Sequence, residues 1–312
     1  MNPLFMTVSG EDIRREHIRC DLCPNHCEIK NASFGSCGVR GNKSGKGIIP
    51  FYGFISALAV DPIEKKPLYH FMPRTSILSL GFAGCNLRCP FCQNWHISQS
   101  TDVCEQGRGK WMQPGEIISS ALKHTSGYAS QSGSVLQPLP IAYTYSEPLV
   151  HIEYILECMA LARQHGIANV LVTNGCVNKE PAETIIKLTD AANVDLKCFS
   201  AETYKKILGA GASCGTSAGD LLQAVLDFIK LCYQMGVHLE ITTLVVPGLN
   251  DSQEELDAIA DFIAGLDKEI PWHLSAYRPE YRWNAPRTDP GFLRNAAKKA
   301  GRKLRHVHTG NI

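Results

Sequence analysis

The sequence predicts an α/β protein: a partial or full parallel βα barrel carrying a small cysteine-rich N-terminal extension. Three observations lead there. Beyond residue 74, short apolar runs alternate with longer amphipathic stretches, the rhythm of βα units around a mainly parallel sheet. The length of 312 residues suffices for one barrel with an appendage. Four of the thirteen cysteines crowd into residues 20–37, ahead of the first such run.

Taken in order, residues 1–73 form the extension and residues 74–312 the barrel, with a seam near Arg74. Within the extension, IIPFYGFISAL mixes aromatic and aliphatic residues around a glycine and reads as short strands; DPIEKKPLYHF, with a proline near each end, reads as an ordered loop. The barrel strands are expected at SILSLGF, IAYTYS, NVLVTN, NVDLKCF, HLEITTLVV, WHLSAY and RHVHTG. Between them, LVHIEYILECMALARQHG and DLLQAVLDFIKLCYQMG space their apolar residues for one buried helix face, and each ends in a glycine suited to closing a helix. GYASQSGSVLQPLP and GAGASCGTSAGD are rich in Gly, Ser and Ala without periodicity and read as surface insertions of uncertain order that hold no chemistry.

Composition narrows the function. Hydrophobic residues make up 44% and charged residues 20%, the balance of a globular chain, and no apolar run approaches the roughly 20 residues that span a bilayer. The first residues lack the basic start, apolar middle and small-residue cleavage site of a secretory signal, so a cytoplasmic protein is expected. A net charge of +1, with both signs well mixed, leaves no footprint for a nucleic-acid partner. Thirteen cysteines in a reducing compartment point to metal ligands or buried thiols rather than disulfides.

The cysteine spacing separates ligands from bystanders. In GCNLRCPFCQNW, Cys85, Cys89 and Cys92 form a C-x3-C-x2-C run in the loop after the first barrel strand. An iron–sulfur cubane takes four ligands, so three thiolates leave one iron for an external ligand, the mark of a catalytic site. A zinc site short of one ligand, or plain buried thiols, are the competing readings. At the N-terminus Cys20, Cys23, Cys27 and Cys37 bracket His26 in a C-x2-C-x3-C-x9-C pattern, which satisfies the ligand count of structural zinc or of a second iron–sulfur cluster; free thiols in a small cap compete. Asp195 and Lys197, two residues apart in a strand, are expected on one face as a buried pair, and His273 shares a face with Ser275 and Tyr277, opposite Trp272, Leu274 and Ala276. A structural ion pair and a satisfied core histidine are the alternatives.

The run CNLRCPFC, with Phe91 before its third cysteine, resembles the signature loop of radical S-adenosylmethionine (SAM) enzymes. Together with CDLCPNHC, CGVRGN, DPIEKKPLYHF, YTYSEP, VLVTNG, NVDLK, TTLVVPGLND and PWHLSAY it resembles the radical SAM member of the AmmeMemoRadiSam system, itself similar to pyruvate formate-lyase activating enzymes. The resemblance implies a [4Fe–4S] cluster that reduces SAM to methionine and a 5′-deoxyadenosyl radical. It implies a reductant such as flavodoxin or ferredoxin, and suggests MEMO-like and AMMECR-like proteins as partners. On it, Ser146 and Glu147 stand where the family's Gly-Gly-Glu motif meets the SAM amino group, with Tyr-Ser replacing Gly-Gly. Thr173 and Asn174 then face the ribose, and Lys197 the SAM carboxylate. Cys176 and Cys198, each following one of these segments, are expected near substrate or in the core. Members often continue past HVHTGNI into a short cysteine-containing tail, so a truncated or naturally shorter form is expected. A radical enzyme acting on a protein, one acting on a small metabolite, and an iron–sulfur electron carrier all remain open on the residues alone.

Overall fold

Alternating apolar runs and amphipathic helices close most of a barrel without completing it. A computed structural model describes residues 3–9, 17–99, 107, 109–130, 133–209 and 221–312. Its main sheet holds seven parallel strands: β1 (Ser76–Gly81), β2 (Ile141–Thr144), β3 (Asn169–Thr173), β4 (Ala191–Asp195), β5 (His238–Val245), β6 (Trp272–Ala276) and β7 (Val307–Gly310). They are hydrogen-bonded in sequence order from β1 to β7, with an antiparallel strand, Ala57–Pro62, beyond β1. The two ends of the sheet do not pair, so the barrel is partial.

Helices α1 (Pro114–Lys123), α2 (Ile152–Gln164), α3 (Lys179–Ile186), α4 (Leu221–Gln234), α5 (Gln253–Leu266) and α6 (Pro290–Ala300) connect or flank these strands. The glycines expected to end two of them do so. Gly166 and Gly236 adopt positive φ, and the next residue in each case reaches back to the last turn, Ile167 N to Ala162 O at 3.0 Å and Val237 N to Cys232 O at 3.1 Å.

Two expectations are corrected. The seam near Arg74 falls inside the sheet, because Ala57–Pro62 pairs residue for residue with β1. Residues 127–140, expected as a surface insertion of uncertain order, take a defined form: Thr125–Ser130 and Gly133–Pro138 form an antiparallel hairpin, whose backbone pairing needs no apolar periodicity. GAGASCGTSAGD lies outside the described residues except for Gly209.

The cysteine-rich extension forms two small antiparallel sheets, Met6–Ser9/His17–Cys20/Cys27–Ile29 and Ser33–Phe34/Gly41–Lys43/Lys46–Ile48. Ile18, Leu22, Ile29 and Val39 belong to the same continuous core as Leu80, Ile155 and Trp272. A buried pair fixes the junction: the Arg40 guanidinium grips both carboxylate oxygens of Glu153 on α2 at 2.9 Å, with the two side chains 1% and 2% exposed. Among the described residues no helix is long and apolar enough to cross a membrane.

Candidate active site

In parallel βα folds ligands lie at the C-terminal ends of the strands. Here those ends surround a cleft of about 590 Å³. Cys85, Cys89 and Cys92 occupy one wall with Phe91, while Thr144, Ser146, Glu147, Thr173, Asn174, Asp195, Lys197 and His273 line the rest. The barrel residues expected to hold the cluster and SAM therefore meet in one place. Cys176 and Cys198 do not: both are fully buried away from the cleft lining, as core thiols.

The cysteine loop is held from both sides. Asn86 donates to the Cys176 carbonyl at 2.6 Å and accepts from Asn174 at 2.9 Å. The Arg88 guanidinium donates to Cys85 O at 3.2 Å and to the Ser36 carbonyl of the extension. Three polar groups turn toward the sulfurs: Leu87 N at 3.4 Å and Asn174 Nδ2 at 3.7 Å from Cys85 Sγ, and Ser98 Oγ at 3.2 Å from Cys92 Sγ. Thiolate ligands of an iron–sulfur cluster accept such bonds. Burial pushes the Cys89 thiol up to about 11 even with Lys197 opposing it, so a bound cationic metal would be what holds it as thiolate at neutral pH. Three thiols on an open cleft with sulfur-directed donors fit a site-differentiated [4Fe–4S] cluster.

Glu147 ties two strand tips together. Its Oε1 accepts from Leu149 N at 3.0 Å and Thr173 Oγ1 at 2.6 Å, and its Oε2 from Asn174 N at 2.8 Å. Burial outweighs these bonds and raises the carboxyl to about 7. Ser146 spends its hydroxyl on Phe82 O at 2.8 Å. Tyr145 holds its place at a cost: its φ is +67°, a region disfavoured for any side chain, and its ring lies over Gly81. Its hydroxyl donates to Asp61 at 2.6 Å, and Lys66 Nζ sits 4.2 Å from its ring centre and 2.9 Å from Asp61. The DPIEKKP segment thus supplies the anchor that holds Tyr145 in that conformation.

Asp195 ends β4, and Lys197 lies past the strand rather than within it. The two still converge on the cleft, with Lys197 Nζ 3.0 Å from Asp195 Oδ2. Burial opposes the ammonium, but Asp195 and then Cys89 hold it charged above the ordinary lysine range. His273 is not alone: its Nε2 lies 2.6 Å from Glu240, a fully buried carboxylate that also accepts from His238 and from the Tyr69 and His70 amides. Glu240 and Thr242 escaped the sequence reading, although the alternation His238, Glu240, Thr242, Leu244 along β5 puts polar groups on one face. Thr242 lines the cleft, and its buried hydroxyl has no hydrogen-bond partner, a polar group ready for a ligand.

A family model described as the radical SAM superfamily matches residues 80–263. An uncharacterised protein of Methanocaldococcus jannaschii is 36% identical over 307 residues, 97% of this chain and 84% of that protein. The pyruvate formate-lyase-activating enzyme of Clostridium pasteurianum is 26% identical over 185 residues, 59% of this chain and 68% of that enzyme. Among solved structures, SuiB of Streptococcus suis bound to precursor peptide SuiA superposes with a TM-score of 0.51 at 14% identity, covering 80% of this chain and 51% of that one, a likeness of fold.

Proposed function

Because this chain belongs to the radical SAM superfamily, whose members are enzymes, we propose that it abstracts hydrogen from a protein or peptide, as a glycyl-radical activating enzyme does, within a system of the AmmeMemoRadiSam type. A [4Fe–4S] cluster on Cys85, Cys89 and Cys92 supplies, when bound, the electron that splits SAM into methionine and a 5′-deoxyadenosyl radical. The chain's own residues position that chemistry. Lys197, kept charged by Asp195, meets the SAM carboxylate. Glu147 holds the tips of β2 and β3 in register and keeps one lone pair of Oε2 for the SAM ammonium. Thr173 and Asn174 face the ribose, Phe91 closes the wall beside the cluster, and His273 borders the far end.

The observation that carries the protein-substrate reading is the cleft's size and rim. About 590 Å³ is the usual space for one ligand, which SAM largely takes up, so a substrate must engage from outside. Directly after the cleft residues Gln93 and Asn94 stands Trp95, 40% exposed and stacked on Tyr281 at 5.2 Å with Arg282 above that ring. An exposed tryptophan stacked on a half-buried tyrosine, with an arginine beside it, suits a polypeptide partner. The relatives add support: several are activating enzymes for another protein, and the SuiB structure holds a peptide.

The test is 5′-deoxyadenosine formation by the anaerobically reconstituted, reduced chain with SAM, in the presence of MEMO-like and AMMECR-like proteins or of a small-molecule extract. Formation should fall to background in Cys89→Ala and rise when one of the proteins is added. A rise with the extract alone would turn the substrate into a metabolite. No product from a reduced cluster with any addition would remove the reaction itself.

A further inference from the structure

The four N-terminal cysteines take no part in the cleft, yet they are gathered and buried. Cys20 and Cys27 face each other across paired strands, and Cys20, Cys23, Cys27 and Cys37 are each 6–7% exposed. Ser36 N points at Cys27 Sγ from 3.3 Å, the same kind of sulfur-directed donor found in the barrel loop. A second observation points to a ligand. Arg40 is 1% exposed and in electrostatic reach of Cys20 and Cys37; its two terminal nitrogens are bonded, but its buried Nε has no hydrogen-bond partner. A cationic donor left unsatisfied among thiols is what an anionic sulfur cluster would complete.

The two groups also touch through backbone. A Cβ built on Gly84 would lie 2.5 Å from the Cys37 carbonyl oxygen, so the residue before Cys85 rests directly on Cys37. Asn25, between Cys23 and Cys27, donates to the carbonyl of Asn86 at 2.9 Å. On the outer side, Pro24 and His26 border a surface groove. The extension therefore spans the distance from protein surface to cluster loop.

We propose that Cys20, Cys23, Cys27 and Cys37 hold a second iron–sulfur cluster that relays single electrons to the cluster on Cys85, Cys89 and Cys92. A reduced protein carrier of the flavodoxin or ferredoxin class gives up one electron, the N-terminal cluster accepts it and passes it inward, and the barrel cluster spends it on the sulfonium of SAM, whose S–C5′ bond breaks to methionine and the 5′-deoxyadenosyl radical. This rests on the reading of the barrel cysteines as the SAM-cleaving site, but its test does not need the substrate.

Anaerobically reconstituted full-length protein should carry about eight iron and eight sulfide per chain, and the Cys85→Ser/Cys89→Ser/Cys92→Ser variant about four of each, with a cluster signal in EPR that SAM does not move. Cys20→Ser/Cys37→Ser should keep about four irons, a SAM-responsive signal and 5′-deoxyadenosine formation driven by dithionite, while the rate with reduced flavodoxin drops about tenfold or more. The barrel variant leaves the extension untouched, so it decides the iron count even if the other variant does not fold. Zinc or no metal in the barrel variant, or an unchanged flavodoxin-driven rate in the N-terminal variant, overturns the relay.

Discussion

The chain carries two cysteine groups of nearly the same spacing, and their surroundings differ. Cys85 and Cys92 are half-buried and share a cleft wall with Cys89, opposite charged strand tips. The N-terminal four are all buried, line neither the cleft nor the groove beside Pro24 and His26, and lie against Arg40. Three thiols beside open space leave a coordination position for a reacting molecule; four thiols in a closed cap leave none. Ligand number and access, more than sequence spacing, separate the site of chemistry from a site that can only hold a metal or pass an electron.

The contrast breaks if the cap is a detachable appendage, and the buried Arg40–Glu153 pair is the place to try. Arg40→Met strands the Glu153 carboxylate in the core with, among the described residues, the Leu4 amide left to it. Removing one partner of a buried pair costs about 3–5 kcal/mol, and because residues of cap and barrel share one core, the denaturation midpoint of the whole chain should move. Arg40→Met/Glu153→Gln should recover much of that loss. A separate early transition, with the main midpoint unmoved, would mean that cap and barrel fold apart.

How far these features were readable before the fold differs by region. The seven strands, two long helices and their closing glycines follow from periodicity, since each element must hide one face. The cluster cysteines follow from spacing within a single loop. The rest depends on contacts between distant segments: Arg40 with Glu153, Asp61 and Lys66 with Tyr145, and Glu240 with His273 join residues from 33 to 113 positions apart, the local Asp61–Lys66 pair excepted. No local pattern encodes such pairings. The hairpin at residues 125–138 failed for the opposite reason, because small polar residues pair through backbone and leave no apolar signature.

The contact between the two groups can be strained directly. Gly84 has a φ of +78° and no room for a methyl beside Cys37 O and Val39. Gly84→Ala should cost about 2–4 kcal/mol, the left-handed penalty plus overpacking against backbone. Gly236→Ala isolates the first contribution, since Gly236 has a φ of +75° with open space around it, and should cost about 1–2 kcal/mol. Equal losses in urea denaturation would show that cap and cluster loop are not in contact.

The smallest effect sharpens the cleft side of the comparison. Glu147 accepts a backbone N–H on each carboxylate oxygen, so Glu147→Gln must turn its amide nitrogen against either Leu149 N or Asn174 N. An unmet buried donor costs about 1–3 kcal/mol despite the equal size of the side chains. A protonated carboxyl avoids this, because its hydroxyl oxygen still accepts. The carboxyl is raised to about 7 by burial, above its value in the unfolded chain, so its contribution is complete below about pH 4.5 and is lost as the pH rises through 7. The stability gap between wild type and Glu147→Gln, read from urea midpoints, should therefore be widest near about pH 5 and narrow toward about pH 8. A gap that widens with pH would mean that the hydrogen bonds outweigh burial and that Glu147 stands ionised throughout.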